Sequence, residues 1–268
     1  MSTAITLPNP TRTAAQSAAI FALEIKYEFL KYLRLPIYAV STMVFPIMFY
    51  VLFGLLMNRG GNAGGVTVQS YLIATYGTFG VMGASLFANG AGVAVERGLG
   101  WLQVKRASPM PPFAYFVAKF AVGMAFSLIV VLALLTLGTL FGGVRFSALD
   151  AARLTGTLVI GSLPFCAMGL AIGSFAGPNS APAIVNVFYL PLSFASGLWV
   201  PINFLPQFLQ HTAKFLPPYH LAQLALGIVA GTPLAPRLYD WEFLAGFTLV
   251  ALGIARIGFQ RDEGKTYG

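Results

Sequence analysis

Residues 113–141 read FAYFVAKFAVGMAFSLIVVLALLTLGTLF, an unbroken apolar run almost free of charge. At about 1.5 Å of rise per residue, a helix of this length outspans the roughly 30 Å hydrocarbon core of a bilayer. Outward from it the pattern recurs. Length and near-freedom from charge mark further apolar spans at 36–57, 69–94, 154–176, 181–200 and 240–259. The fold class is therefore an all-α membrane protein of about six transmembrane helices. Composition agrees: 57% of residues are hydrophobic and 9% charged, against roughly 25% charged in an ordinary soluble domain. Little chain remains for a separate catalytic domain. A transmembrane domain occupies 36–259, flanked by a tail with an interfacial helix at 1–35 and a second tail at 260–268.

The basic residues set the orientation. Arg12, Lys26, Lys31, Arg34, Arg97, Lys105, Arg106, Lys119, Arg256, Arg261 and Lys265 fall on one side of the spans, and Arg59, Arg145, Arg153, Lys214 and Arg237 on the other. By the positive-inside rule both termini and the loop from Glu96 to Pro112 are cytoplasmic. The net charge of +8 sits beside apolar spans, so its partners are lipid headgroups rather than nucleic acid. No charged segment followed by a short apolar core and cleavage site opens the chain, so the first span is expected to serve as the insertion signal.

Three local features stand out. In Ala22–Leu35, Glu24, Glu28, Lys31 and Arg34 share one helical face, and Ala22, Ile25, Phe29, Leu30 and Leu33 the opposite one. Such a helix lies along the cytoplasmic membrane surface, as a plain anchor or as a platform for a cytoplasmic partner. Between Pro201 and Pro236, the stretches Phe204–Leu216 and Leu221–Val229 are each too short to cross the bilayer and are separated by Pro217-Pro218. They predict two short helices dipping into the outer face. Gly169, Gly173 and Gly177 form a stripe of small residues that lets helices approach closely, within one chain or between two.

Several chemistries are missing. There is no GxxxxGK[ST] phosphate loop, no His-Glu-x-x-His zinc motif and no GxSxG nucleophile elbow. His211 and His220 lack further metal ligands, and Cys166, the only cysteine, reads as a packing residue. The chain is read as a non-enzyme that binds no cofactor or metal. Asp150, Asp240 and Glu242 sit at span ends, which disfavours a proton- or sodium-driven carrier. Polar groups within spans are mild: Thr75, Tyr76, Thr78, Ser85, Asn89, Asn186, Tyr189, Ser193 and Ser196. They either tie helices together or line a path for an amphiphile; Thr75, Thr78, Asn89, Asn186, Tyr189, Ser193 and Ser196 are the candidate path.

The cytoplasmic stretch from Glu96 to Pro112 is the most informative short segment. Charges of both signs surround Trp101 and Leu102, and Pro109–Pro112 stop any helix before the next span. Gly100-Trp101-Leu102-Gln103-Val104-Lys105-Arg106-Ala107-Ser108-Pro109 resembles the loop between the second and third spans of type-2 ABC exporter permeases, where the pattern is Gly-Thr-Leu-x-x-Leu-Arg-Ala-Ser-Pro. Trp101 replaces the usual Thr and Lys105 the usual Leu. The similarity extends to the amphipathic start, the six spans and Leu216-Pro217-Pro218-Tyr219-His220 in the outer hairpin.

The resemblance implies a bacterial inner-membrane permease that pairs with a second copy or a related chain and sits on separate ATPase subunits. Those subunits would bind ATP and Mg. Glu24, Glu28 and Lys31 of the amphipathic helix, with Glu96, Arg97, Lys105 and Arg106 of the loop, would dock them. The cargo would be an amphiphilic or hydrophobic compound moved outward. Other readings stay open: a sodium-extruding relative, an ATP-independent carrier, or a membrane scaffold or sensor.

Overall fold

The computed structural model describes residues 14–34, 36–57, 61–63, 65–108, 110–232 and 237–263. The chain there is almost entirely helical. Helix α1 (Ala14–Leu33) precedes α2 (Pro36–Phe49), which continues as a wider π-wound segment over Tyr50–Met57. A two-residue hairpin, β1 (Asn62–Ala63) with β2 (Val66–Thr67), pairs Asn62 with Thr67 and Ala63 with Val66. It leads to α3 (Val68–Leu86), whose first turn is capped by the Thr67 hydroxyl accepting from the Ser70 amide at 3.3 Å.

Helix α3 runs through a π-turn at Phe87–Ala91 into α4 (Gly92–Gly98), making one rod of 31 residues, about 46 Å long. After α5 (Trp101–Ala107), Pro112 opens the long α6 (Pro112–Leu140), a position where its missing N–H costs nothing. Helices α7 (Ala148–Ile160) and α8 (Leu163–Phe175) form one bent span broken at Gly161-Ser162. Helix α9 (Ala181–Ala195) is followed by two short helices, α10 (Gln207–Ala213) and α11 (Pro217–Val229), and by α12 (Leu238–Glu263).

Among the described residues, four helical stretches are long and apolar enough to cross a membrane: Val68–Gly98, Phe113–Leu140, Ala148–Phe175 and Leu238–Arg261. Thr42–Met57 and Ala181–Ala195 are shorter apolar helices at the places of two further expected spans. The expected stretch 181–200 stays helical only to Ala195, because Gly197 adopts φ 74° and turns the chain. The Pro217-Pro218 pair, expected to interrupt helix, instead opens one. Helix α11 then packs on α3, α7 and α12, with Leu221 against Gly161.

The rod α3–α4 is the centre of the bundle. In its most apolar window 78% of residues are buried, against 28% in α12. Around its first half an aromatic cluster joins three segments: Phe79 stacks on Tyr189 of α9 at 4.6 Å, and Trp199 meets both Phe79 and Phe49 edge-on. At the π-turn, Gly169 and Gly173 let α8 touch the rod's backbone. A Cβ on Gly173 would lie 2.7 Å from the Gly90 carbonyl oxygen, and one on Gly169 would lie 3.0 Å from the Gly90 amide. These two members of the small-residue stripe therefore serve packing within the chain. Gly177 lies beyond them in the turn before α9.

Candidate coupling site

Glu24, Glu28, Lys31 and Tyr32 stand three or four residues apart and so stack along one face of α1. Tyr115 and Lys119 do the same on α6. The structure sets these two faces against each other, with Glu96 of α4 and Lys105 of α5 closing the group. The polar face of α1 thus points into the protein, while Leu23, Tyr27 and Leu33 are exposed.

Lys119 is the hub. Its side chain is fully buried, a position that an ammonium tolerates only when paired and hydrogen-bonded. Its three N–H donors meet three oxygens: Glu28 Oε1, Glu96 Oε1 at 2.7 Å and the Tyr32 hydroxyl at 3.4 Å. Glu96 Oε1 also accepts from Lys31, and its Oε2 accepts from the Tyr115 hydroxyl at 2.7 Å. Lys31 reaches Glu28 at 2.5 Å; Lys105 pairs with Glu24 and lies 3.9 Å from Glu28. Three carboxylates thus face three ammoniums, so the knot is charge-neutral.

Two tyrosines wall it. Lys119 lies 5.3 Å from the Tyr32 ring centre and 5.4 Å from that of Tyr115. The Tyr32 hydroxyl donates to the Ala88 carbonyl at 2.6 Å, inside the π-turn of the rod. Burial pushes the Tyr32 phenol far above its ordinary value, which keeps that donor protonated. Arg97, one residue after Glu96, donates to Gly173 O at 2.7 Å and Ala176 O at 3.4 Å, satisfying carbonyls at the C-terminal end of α8.

Helix α5 stands on this base. Leu102 points inward, into a cluster with Val93, Tyr115, Leu170 and Phe259. Leu99, Trp101, Val104 and, at the start of α6, Phe113 are exposed, which leaves an apolar surface at the end of the bundle. Of the residues expected to dock a partner, Glu28 and Glu96 are buried, and Glu24, Lys31 and Lys105 are engaged with one another and with them. Arg97 binds α8, and the Arg106 side chain lies outside the described residues.

The family model described as "ABC-2 type transporter" matches residues 20–229, which takes in most of α1, the knot, α5, α10 and α11. The chain belongs to the ABC-2 type transporter family. It is also similar to "Putative transport permease YvfS" of Bacillus subtilis (strain 168), at 26% identity over 204 residues, covering 76% of this chain and 83% of that protein. This ABC-2 chain is accordingly a multi-pass membrane protein of a transport permease family.

Within the family frame, the candidate path residues fall mostly inside the helix packing. Thr75, Thr78, Asn89, Tyr189, Ser193 and Ser196 are buried, and Asn186 is exposed. Thr78 and Ser193 donate to carbonyls one turn back, Ala74 O at 2.9 Å and Tyr189 O at 2.5 Å. Asn186 donates to Pro182 O at 3.2 Å and Tyr189 to Phe79 O at 3.3 Å. The Thr75 and Ser196 hydroxyls and the Asn89 amide oxygen have no hydrogen-bond partner among the described residues.

Sequence reasoning used Lys119 only for topology and passed over Tyr32 and Tyr115. A signal was available: a cation seven residues into an otherwise uncharged span needs a buried partner. Tyr115, one turn before it, shares its helical face.

Proposed function

We propose that this chain is the membrane-spanning subunit of an ATP-driven exporter. It would cross the bacterial inner membrane six times with both termini in the cytoplasm and pair with a second permease chain. The carrying observation is the buried knot, which fixes α5 and its exposed apolar face to α1, the rod α3–α4 and α6. A load applied to Trp101 and Val104 would be delivered to two long spans, through the Lys105–Glu24 pair to α1 and from there through the buried pairs of Glu28 and Glu96 with Lys119. The partner fitting that face is a separate ATPase subunit with an apolar socket; it binds the ATP and Mg. Buried Glu28 and Glu96 then position the docking helix, while contact itself falls to Leu99, Trp101, Gln103 and Val104.

The exposed flanks of α2 (Val44, Phe45, Met48) and α9 (Val187, Phe188, Phe194) are apolar apart from Asn186 on α9. They favour lipid, a second permease chain and an amphiphilic or hydrophobic cargo over a small ion.

The test is copurification. The chain is expressed with its ATPase subunit and reconstituted in lipid, and ATP turnover is measured with and without amphiphilic cargo. The complex is expected to form with the wild type and to weaken at least tenfold with Trp101→Ala plus Val104→Ala, truncations of the kind that remove about 2 kcal/mol or more at an interface centre. Equal transport without the ATPase, driven by an ion gradient, would overturn the proposal.

A further inference from the structure

At the opposite end of the bundle, α10, α11 and the start of α12 enclose an open cleft of about 540 Å³. Its lining is cationic. Lys214 and Arg237 both border it, and neither has an ion pair among the described residues. The Arg237 guanidinium is held in place from one side: Nη1 donates to Gln223 O, and Nη2 lies 3.4 Å from the Thr232 hydroxyl. Those bonds use part of a five-donor fork and leave the rest without an acceptor in the described chain.

The carboxylate that borders the cleft, Asp240, is occupied. His220, buried at the base, places Nδ1 2.6 Å from Asp240 Oδ1 and Nε2 2.9 Å from Lys214 O. The ring thus bridges Asp240 to the main chain, and among the described residues Asp240 pairs with neither Lys214 nor Arg237. Stacking on Phe243 at 4.0 Å fixes the ring. Lys214 and Arg237 thus border the cleft without a carboxylate partner among the described residues, whereas Arg153 has Asp150 at 3.7 Å.

Phe215 follows Lys214 in the chain and Leu238 follows Arg237, and both side chains are exposed. Two cations without ion pairs among the described residues, each next in the chain to an exposed apolar side chain, fit a molecule with an anionic head and an apolar body. Guanidinium forks favour carboxylate and phosphate, and a lysine beside one adds a point charge suited to phosphate.

We propose that this cleft binds the phosphate headgroup of an anionic amphiphile, with Lys214 and Arg237 as its charge-recognising residues. The amphiphile comes from one of two sources, a resident lipid of the adjoining leaflet or a phosphate-bearing cargo. Placement on the outward face rests on the topology proposed above, whereas binding itself does not, so a test in detergent separates the two readings.

The full chain is purified in a neutral detergent as wild type, as Lys214→Gln plus Arg237→Gln, and as Arg153→Gln. Binding of dihexanoylphosphatidylglycerol, uncharged dihexanoylglycerol and inorganic phosphate is measured by microscale thermophoresis. Helicity and thermal unfolding verify that each variant is folded. The phosphatidylglycerol is expected to bind the wild type and Arg153→Gln at least about tenfold more tightly than the double variant, the factor that one charge-assisted hydrogen bond carries. It should also exceed the uncharged lipid by a similar factor, and added salt should weaken it.

Native mass spectrometry identifies the source. Phospholipid retained by the wild type and lost from the double variant marks a resident lipid; binding of added ligand with no retained phospholipid marks a cargo site. Equal affinity for charged and uncharged lipid, or unchanged affinity in a folded double variant, would overturn the proposal. So would inorganic phosphate binding as tightly as the lipid, since the apolar flank would then contribute nothing.

Discussion

Replacing Lys119 with Met tests whether the knot is the structural base of α5. The substitution removes one ammonium from a set that balances Glu24, Glu28 and Glu96 against Lys31, Lys105 and Lys119. Glu28 and Glu96 remain buried, each without the partner that lies deepest. Removing one side of a buried ion pair costs about 3–5 kcal/mol. Lys31 and Lys105 are 37% and 21% exposed at the side chain and still reach the same carboxylates, which discounts the loss. We therefore expect the lower end, about 3 kcal/mol.

At roughly 2–4 °C per kcal/mol for a chain of this size, apparent Tm should fall by roughly 6–12 °C. Cys166, the sole cysteine, is buried, so a maleimide dye that fluoresces on reaction with thiol reports unfolding directly. Adding Glu96→Gln restores neutrality, and its side chain can still accept from Tyr115. The double variant should be more stable than the sum of the two single losses by at least about 1 kcal/mol, as for any directly coupled pair. A drop of under about 2 °C for Lys119→Met, or strict additivity in the double-mutant cycle, would refute the account of the knot.

Two further outcomes follow from packing. Gly173→Ala forces a Cβ to within 2.9 Å of two backbone oxygens and should destabilise by about 1–3 kcal/mol, whereas Gly156→Ala, with nothing within 4 Å, should be neutral or stabilise by about 0.4–1 kcal/mol; the same dye assay reads both. Thr78→Val discards a hydrogen bond to Ala74 O and should cost about 1 kcal/mol, while Thr75→Val discards a buried hydroxyl that bonds nothing and should cost less. If Thr75→Val instead abolishes transport at unchanged Tm, its hydroxyl meets the cargo.

Much of the architecture was legible because the bilayer imposes one rule, that long apolar stretches become helices. The runs at 69–94, 113–141, 154–176 and 240–259 each coincide with a helix long enough to cross. Less legible were features decided by single residues in context. Gly197 ends α9 early, and nothing in its neighbours marks it out from glycines that lie inside helices, such as Gly156. The proline pair at Pro217-Pro218 reads equally as a break or as a first turn, and the side on which the helix continues decides which it becomes.

The functional site was half legible, and the missing half was direction. A face carrying Glu24, Glu28 and Lys31 shows the same pattern whether it meets water, a partner protein or its own chain. What turns it inward is Lys119, ninety-one residues away from Glu28, with Glu96 between them in the sequence. No local periodicity encodes such a pairing. Charge counting grouped Lys119 with the other cations of one membrane face and overlooked that a buried ammonium must be answered by carboxylates. The same accounting explains why hydroxyls in spans were weak guides to a path: Thr78 and Ser193 satisfy themselves on their own helices and need neither cargo nor water. Buried charge therefore identifies the mechanical base of this permease more securely than mild polarity identifies its conduit. A carboxylate or ammonium inside the bundle must have a partner, whereas a serine need only have a preceding turn.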